Sequence, residues 1–361
     1  MDNLKKIALL CNYELLPERV GGMDYFFWEF DASCKQNNIQ VDWFFPNKSN
    51  HGDYSKLTIY ASGNQSIEAF FLDFSKKHEP IYTHIVTHFV GLCTPFFKKI
   101  KQLSTAEVIG VDHNPRPLHG YPLKKKIEKR VKGLLYSRYI DQFIGVSDYT
   151  VKEIIKDFGF QLKSKTKTIY NGVFIEQIKV RSQRKYTKPS FLVASHLRES
   201  KGIQDLILAV SELSAEILAE IEVTIFGDGP YKAVLLDLVQ QHNLSSNFRF
   251  MGSTANLAEL YCKYDYMVQP THMECFSLSI LESLSANVPV ITTNVGGNEE
   301  VIINNKNGFI YQAKDIPALT RLLEAVYVGN LKIESNTRKE IEVDFSLHKM
   351  VENHLQLLSQ K

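Results

Sequence analysis

The sequence predicts an α/β protein of two doubly wound parallel sheets facing a central cleft, and three observations carry that reading. Short apolar runs rich in β-branched residues alternate with helical periods almost throughout, the pattern of repeated βαβ units. The chain has 361 residues, enough for about two domains at roughly 100–200 residues each. One polar stretch, 176–190 (EQIKVRSQRKYTKPS), interrupts the alternation near its middle. The expected layout is an N-terminal domain over 1–175, a linker over 176–190, a C-terminal domain over 191–343 and a terminal helical segment over 344–361.

In chain order, KKIALLCNY, VDWFF, IYTHIVTHF, AEVIGVDH, FIGVS and KTIYNGV read as strands of the first half. FLVAS, IEVTIFGDG, FRFMG, YMVQP and VPVITT read as strands of the second. Helical periods fall between them at 202–215, 230–242, 277–287 and 315–328. The last segment, SLHKMVENHLQLL, is amphipathic: Ser346 can cap it, and Leu347, Met350, Val351 and Leu355 form one stripe.

Composition bounds the function. Lys+Arg is 42 and Asp+Glu is 40, a net charge of +2, so no bulk charge argues for nucleic acid as a partner. With 22 Phe and 17 Tyr the chain is too aromatic for a solvated coil. The five cysteines are scattered without a C-x-x-C pair, which fits a reducing cytoplasm. The apolar run near the N-terminus is too brief for a signal-peptide core. No window holds the roughly 18 apolar residues that a membrane span needs.

Ligands of doubly wound sheets bind beyond the carboxyl ends of the strands, so chemistry is sought in the loops that follow them. PTHMECFSLSILES (270–283) is the most informative. The backbone N–H groups of Phe276, Ser277 and Leu278 would lie at a helix N-terminus, where orphan donors and the helix dipole favour an anion. Glu274 before that helix and Glu282 within it could accept hydrogen bonds from vicinal hydroxyls, Glu282 from a ribose and Glu274 from a sugar. Their spacing alone means little, because Glu212/Glu220 and Glu334/Glu342 share it. HLRESKG (196–202) places Arg198 and Lys201 after a strand, where they could hold a diphosphate. GDGP (227–230) supplies Gly227 and Gly229 for close backbone approach, but Lys232 stands where a dinucleotide fingerprint needs its third glycine. VGGNEEVI (295–302) supplies Gly296 and Gly297.

The ordered set resembles retaining glycosyltransferase family 4, of the GT-B fold with two Rossmann-like domains. It comprises Gly21-Gly22, IYNGV (169–173), Arg198 with Lys201-Gly202, GDGP, Gly252 of FMG, Glu274 with Glu282, VGGNEEVI and NGF (307–309). The resemblance is strongest over 190–312. It implies that Arg198 and Lys201 hold the nucleotide diphosphate, that Glu274 and Glu282 contact the sugar and ribose, and that Gly229 and Gly252 belong to the donor side. It also implies that the C-terminal helix returns to the N-terminal domain. The sequence departs from the commoner E-G-F-G-L-P run, with Cys275, Ser277 and Ser279 where Gly, Gly and Pro are usual. Side chains there narrow the backbone angles and the space beside a donor.

In the first half, Gly21 and Gly22 separate a strand from a helix and would let backbone approach a ligand. The resemblance places this turn near the diphosphate and acceptor. GVDHNPRP (110–117) puts Asp112, His113 and Asn114 at a strand end. The resemblance gives His113 the far side of the donor sugar, with Asp112 and Asn114 as alternatives for hydrogen bonding the acceptor. His84 and His88 lie four apart in a β-branched run. On a strand that is about 13 Å, too far for one metal ion. LKKKIEKRVKGLLYSRY (123–139) concentrates positive charge beside the stripe Ile127, Val131, Leu134 and Leu135. Such a helix either lies on anionic lipid or packs its stripe into the core.

The expected reaction is transfer of a hexose-type sugar, with retention, from a nucleoside-diphosphate sugar to a hydroxyl of a glycan or lipid-linked glycan, in cell-surface polysaccharide synthesis. The nucleotide sugar is a co-substrate; no cofactor or metal is expected, since cations and helix amides can offset the leaving charge. The expected place is the cytoplasm, peripherally on the inner face of the membrane. The same fold could serve a nucleotide-sugar epimerase, a phosphorylase, or a non-catalytic module binding sugar or anionic lipid.

Overall fold

The computed structural model describes residues 5–359. It contains two compact units: the residues up to Asn171 together with those from Leu347 on, and Gly172–Ser346.

The first unit is built on a sheet of seven strands: β1 (Lys5–Cys11), β2 (Ile39–Phe45), β3 (Thr58–Ala61), β4 (His84–His88), β5 (Glu107–Asp112), β6 (Gln142–Gly145) and β7 (Thr166–Thr168). All neighbours are parallel, in the order β3-β2-β1-β4-β5-β6-β7. Helices cover both faces, so the central strands are buried continuously and show no alternation; Ile7 to Cys11 are all buried. Ser66 caps helix Ile67–His78 by accepting from the Ala69 amide at 3.2 Å, and Ser147 caps Asp148–Phe158 through Thr150 at 3.1 Å. The C-terminal helix Leu347–Leu357 packs in this unit against helix Gly22–Gln36, with the His354 and Phe26 rings 4.8 Å apart. Its buried stripe is Leu347, Met350, Val351, His354 and Leu357; Leu355 is half-buried.

The second unit carries β8 (Phe191–Ala194), β9 (Val223–Phe226), β10 (Phe248–Gly252), β11 (Tyr266–Gln269), β12 (Val290–Thr293) and β13 (Gly308–Tyr311). Again every pair is parallel, in the order β10-β9-β8-β11-β12-β13. The strand order therefore reverses at β1/β4 in one sheet and at β8/β11 in the other. At such a reversal successive connections leave on opposite faces, which opens a crevice at the strands' carboxyl ends.

Ten strands fall where the sequence predicts them, the predicted strand KTIYNGV (167–173) overlaps β7 only at Lys167 and Thr168, and β3 and β13 are additional. The polar stretch 176–190 lies within the second unit. Buried Asp265 accepts from the Lys185 amide at 2.8 Å, from the Ser190 amide at 2.9 Å and from the Ser190 hydroxyl at 2.8 Å, and pairs with Arg181. Arg184 donates to the carbonyls of Asn287 and Ile333. The chain divides at 171/172 and 346/347, and these arginines fasten the polar segment into the second unit by hydrogen bonds and an ion pair.

Asp265→Ala leaves Arg181 and two amides without their acceptor. It should destabilise the protein by about 3 kcal/mol, read as a lowered urea midpoint.

Candidate functional site

The best-formed cluster lies at the β8/β11 reversal of the second sheet. Lys201, from the loop after β8, pairs with Glu274, from the loop after β11, at 2.7 Å. Both side chains are mostly shielded from solvent, so the pair gains more than an exposed one. Backbone contacts align the loops. The His272 amide donates to the Ser200 carbonyl at 2.8 Å, and the His272 ring meets Asp205 on helix Ile203–Ser211 at 2.6 Å. Gly202 takes φ +68°, and a Cβ there would lie 1.8 Å from the Pro270 carbonyl oxygen. A third loop supports Glu274 from behind. Gly296 takes φ +65° with its would-be Cβ 2.3 Å from the Glu274 carbonyl oxygen, and the Gly297 amide donates to the Cys275 carbonyl at 2.9 Å.

Helix Leu278–Ser285 starts directly after this loop, with Ser277 as its N-cap. The Ser277 hydroxyl accepts from the Ile280 amide at 3.4 Å and from the Gln269 side chain at 2.8 Å, and lies 3.1 Å from the Ser279 hydroxyl. Phe276 and Ser277 are buried and Leu278 is half-buried. Glu282 lies one turn beyond Leu278 and accepts from the Tyr261 hydroxyl at 2.9 Å. Burial pushes its carboxyl up to about 7, against the downward pull of that hydrogen bond. Arg198 is exposed in the turn before Lys201, with no ion-pair partner among the described residues.

Gly229 and Gly252, expected on the donor side, lie in the turn after β9 and at the end of β10. The Gly229 amide donates to its neighbour Asp228 at 2.8 Å, and the turn packs against the Leu197 carbonyl. Gly229 thus braces the Arg198 loop from the side. Gly252 ends edge strand β10, two strands from β8, and its carbonyl accepts from the Gly227 amide at 2.8 Å.

In the first unit His113 follows β5, and its Nε2 lies 3.0 Å from Nδ1 of His88, the last residue of β4. Burial lowers His113 to about 3 against the pull of Asp112, and lowers His354, beside His88, to about 4. His88 is also held well below the usual histidine range by burial. All three are neutral at pH 7. Phe89, at φ +59°, stacks on His113 with ring centroids 4.2 Å apart. Asp112, considered for hydrogen bonding an acceptor, is buried and engaged within the protein. Its oxygens take Arg116 at 2.7 Å and the Asn114 amide and side chain at 3.0 and 2.9 Å. Burial raises its carboxyl, but Arg116 and Asn114 prevail and hold it below the usual range. Arg116 continues to Asp157 at 2.9 Å, which also takes Lys129 at 2.9 Å. Asn114 is exposed but tied to Asp112. The Gly21 amide donates to Asp24 at 2.9 Å, and Gly22 opens the helix. Buried Asp24 also takes the Tyr54 hydroxyl at 2.5 Å. That helix start therefore carries its own carboxylate, which competes with any external anion. His84 and His88 both lie on β4, as the strand reading expects.

The sequence reading missed Asp205, His272, Gln269 and Phe89. Their signals were weak: a polar residue near a helix start, a histidine in a loop, a glutamine ending a strand and an aromatic after one.

Comparison with known proteins shows what the chain resembles. Residues 174–341 match the family described as Glycosyl transferases group 1. Among curated relatives, N-acetyl-alpha-D-glucosaminyl L-malate synthase of Bacillus anthracis is 33% identical over 121 residues, 34% of this chain and 31% of that protein. Glycogen synthase of Mycobacterium tuberculosis is 30% identical over 192 residues, 52% of this chain and 46% of that protein. The matched segments thus span about a third to a half of these relatives' length. The structure of HepE from Anabaena, solved in complex with UDP and glucose, superposes with a TM-score of 0.78 at 18% identity, covering 99% of this chain and 100% of that one. That likeness shows a common fold. Residues 174–341 thus resemble the group 1 glycosyltransferases, and the chain has the GT-B fold of two parallel Rossmann-like sheets.

Gly296→Ala should place a methyl against the Glu274 carbonyl in a left-handed backbone. It should cost about 1–3 kcal/mol, read as a lowered melting temperature. Ala at Gly21, where nothing lies within 4 Å, should cost far less.

Proposed function

We propose that this protein transfers a hexose-type sugar from a nucleoside-diphosphate donor to a hydroxyl of a glycan or lipid-linked glycan, with the anomeric configuration retained. The observation that carries the reading is the Lys201–Glu274 pair at the β8/β11 reversal, 2.7 Å apart. A cation for the diphosphate and a carboxylate for sugar hydroxyls come from the two loops that flank the crevice of the sheet. Arg198 in the same loop adds a planar fork for a phosphate. Glu282 offers its carboxylate to the ribose hydroxyls.

In the proposed reaction the bond from the anomeric carbon to the diphosphate oxygen breaks, and a bond from that carbon to the acceptor oxygen forms on the same face. The acceptor proton passes to the departing phosphate oxygen. Lys201 and Arg198 offset the charge that accumulates on the leaving group. His113, neutral at pH 7, suits hydrogen bonding to sugar hydroxyls and not proton donation as an imidazolium. HepE was solved with UDP and glucose and the Bacillus relative is named for an N-acetylglucosaminyl product. UDP-glucose and UDP-N-acetylglucosamine are therefore the first donors to test. Four buried cysteines and one half-buried, all free, fit a reducing compartment such as the cytoplasm. Among the described residues no helix is long and apolar enough to cross a membrane.

A thermal-shift screen against uridine, guanosine and adenosine diphosphate sugars should single out one base by raising the melting temperature. With that donor and acceptor glycans, Lys201→Ala should lower turnover by about 10²–10³-fold while the free protein keeps its wild-type circular dichroism at 25 °C, with a lowered melting temperature because shielded Glu274 loses its partner. Near-normal turnover would overturn the assignment. Interconversion of the donor without acceptor would instead mark an epimerase.

Glu282 gives a pH dependence. Its carboxyl titrates near 7 when buried, above the usual carboxylate range, so the fold favours the protonated form and bears the cost of ionisation as pH rises. Only the carboxylate can accept from both ribose hydroxyls. Donor affinity should therefore rise between pH 6 and 8, and Glu282→Gln should bind more weakly with a flat profile in isothermal titration.

A further inference from the structure

We propose that helix Leu123–Tyr136 docks this protein on an anionic lipid surface through an apolar stripe that the fold leaves uncovered. Leu123, Ile127, Val131, Leu134 and Leu135 are 73, 56, 47, 70 and 47% exposed. At 100° per residue they occupy one third of the helix circumference. The face packed into the protein is another one, marked by Gly133, whose would-be Cβ lies 1.9 Å from the Phe158 carbonyl oxygen. That contact fixes the helix rotation, so the stripe cannot turn inward without separating this helix from Asp148–Phe158. Two residues beyond Phe158, Phe160 is 72% exposed and adds apolar surface on the adjoining segment.

Charge selects the occupant. Lys125 and Lys132 pair with Glu128, and Lys129 with Asp157. Lys124, Lys126 and Arg130 are exposed and have no ion-pair partner among the described residues; by helical angle Lys124 lies within the stripe and Arg130 at its edge, while Lys126 lies farther round, on the side of Gly133. An apolar band edged by uncompensated cations matches the boundary between acyl chains and anionic headgroups. A helix of 14 residues is about 21 Å long, too short to span, so it lies in the interface plane. This inference stands on exposure and charge, independently of the reaction proposed above.

Flotation with phosphatidylcholine vesicles, with and without phosphatidylglycerol, tests it. The wild type should float with the anionic vesicles and much less with the neutral ones. Ile127→Ser with Leu134→Ser should abolish flotation, and Lys124→Ser, Lys126→Ser and Arg130→Ser together should weaken it on the order of 100-fold. All these positions are exposed, so both variants should keep the wild-type melting temperature and its shift with nucleoside diphosphate. No flotation, or equal flotation with neutral vesicles, overturns the proposal. So does a dimer by light scattering that the Ile127/Leu134 variant dissolves, which would assign the stripe to a second copy of the chain.

Discussion

The second unit depends on two loops meeting backbone to backbone at the carboxyl ends of β8 and β11. Gly202 has no side chain to hold the Pro270 carbonyl away, and the His272 amide closes on the Ser200 carbonyl. Only at that separation does the Lys201 ammonium reach Glu274. Asp205 holds the same loops through the His272 ring. The pair keeps both charges satisfied without a ligand, which lowers the cost of having them shielded. It also sets the exchange that a donor must make. Under the proposed reaction a diphosphate draws Lys201 towards itself, and Glu274 gains freedom to accept from sugar hydroxyls.

The first unit repeats the topology with different electrostatics. At the ends of β4 and β5 burial keeps His88 and His113 neutral, and His354 of the C-terminal helix beside them is neutral too. The nearby charges, Asp112, Arg116, Asp157 and Lys129, cancel in one chain of ion pairs. Helix Gly22–Gln36 supplies Asp24 to its own N-terminus. A neutral, aromatic-lined strand end suits polyhydroxyl ligands, which are recognised by shape and hydrogen bonds. In the second unit Arg198 is exposed beside Lys201 with no ion-pair partner among the described residues, and under the proposed reaction its charge is available to the diphosphate.

Much of this was legible in the sequence, and the failures have physical causes. Buried parallel strands announce themselves as apolar runs, so ten of them could be read directly, while the edge strand β7, Thr166–Thr168, is caught only at the start of the run KTIYNGV. β3 is only Thr58–Ala61, an edge strand with half-exposed residues, too short and too polar to register. β13 begins at Gly308, a residue that discourages a strand reading. The charges of 176–190 suggested a linker, because sequence does not reveal that Arg181 and Arg184 find carboxylate and carbonyl partners. Lys201 and Glu274 were named from motif order, but that they touch is a tertiary fact. The stripe on Leu123–Tyr136 posed the opposite problem. An amphipathic period has the same appearance whether its apolar face meets a core or solvent. Only the close packing of Gly133 decides between them.

The three substitutions in the E-C-F-S-L-S run bear on what the site accepts. Glycine at 275 or 277 would be required if the backbone there were left-handed. It is not: Ser277 has φ −86°, and neither residue is among those with positive φ. The departures therefore impose no strain, and their effect must come from the side chains. Ser277 replaces a missing group with a cap, holding the Ile280 amide and linking to Gln269 and Ser279. This hydroxyl chain fixes the first turn of the helix that carries Glu282 and adds polar volume where glycine and proline would leave apolar space. The backbone geometry an anion needs is thus kept, while the wall beside it becomes more hydrophilic. Under the proposed reaction these side chains bear on the hydroxyl pattern of the sugar, and the backbone amides on its diphosphate.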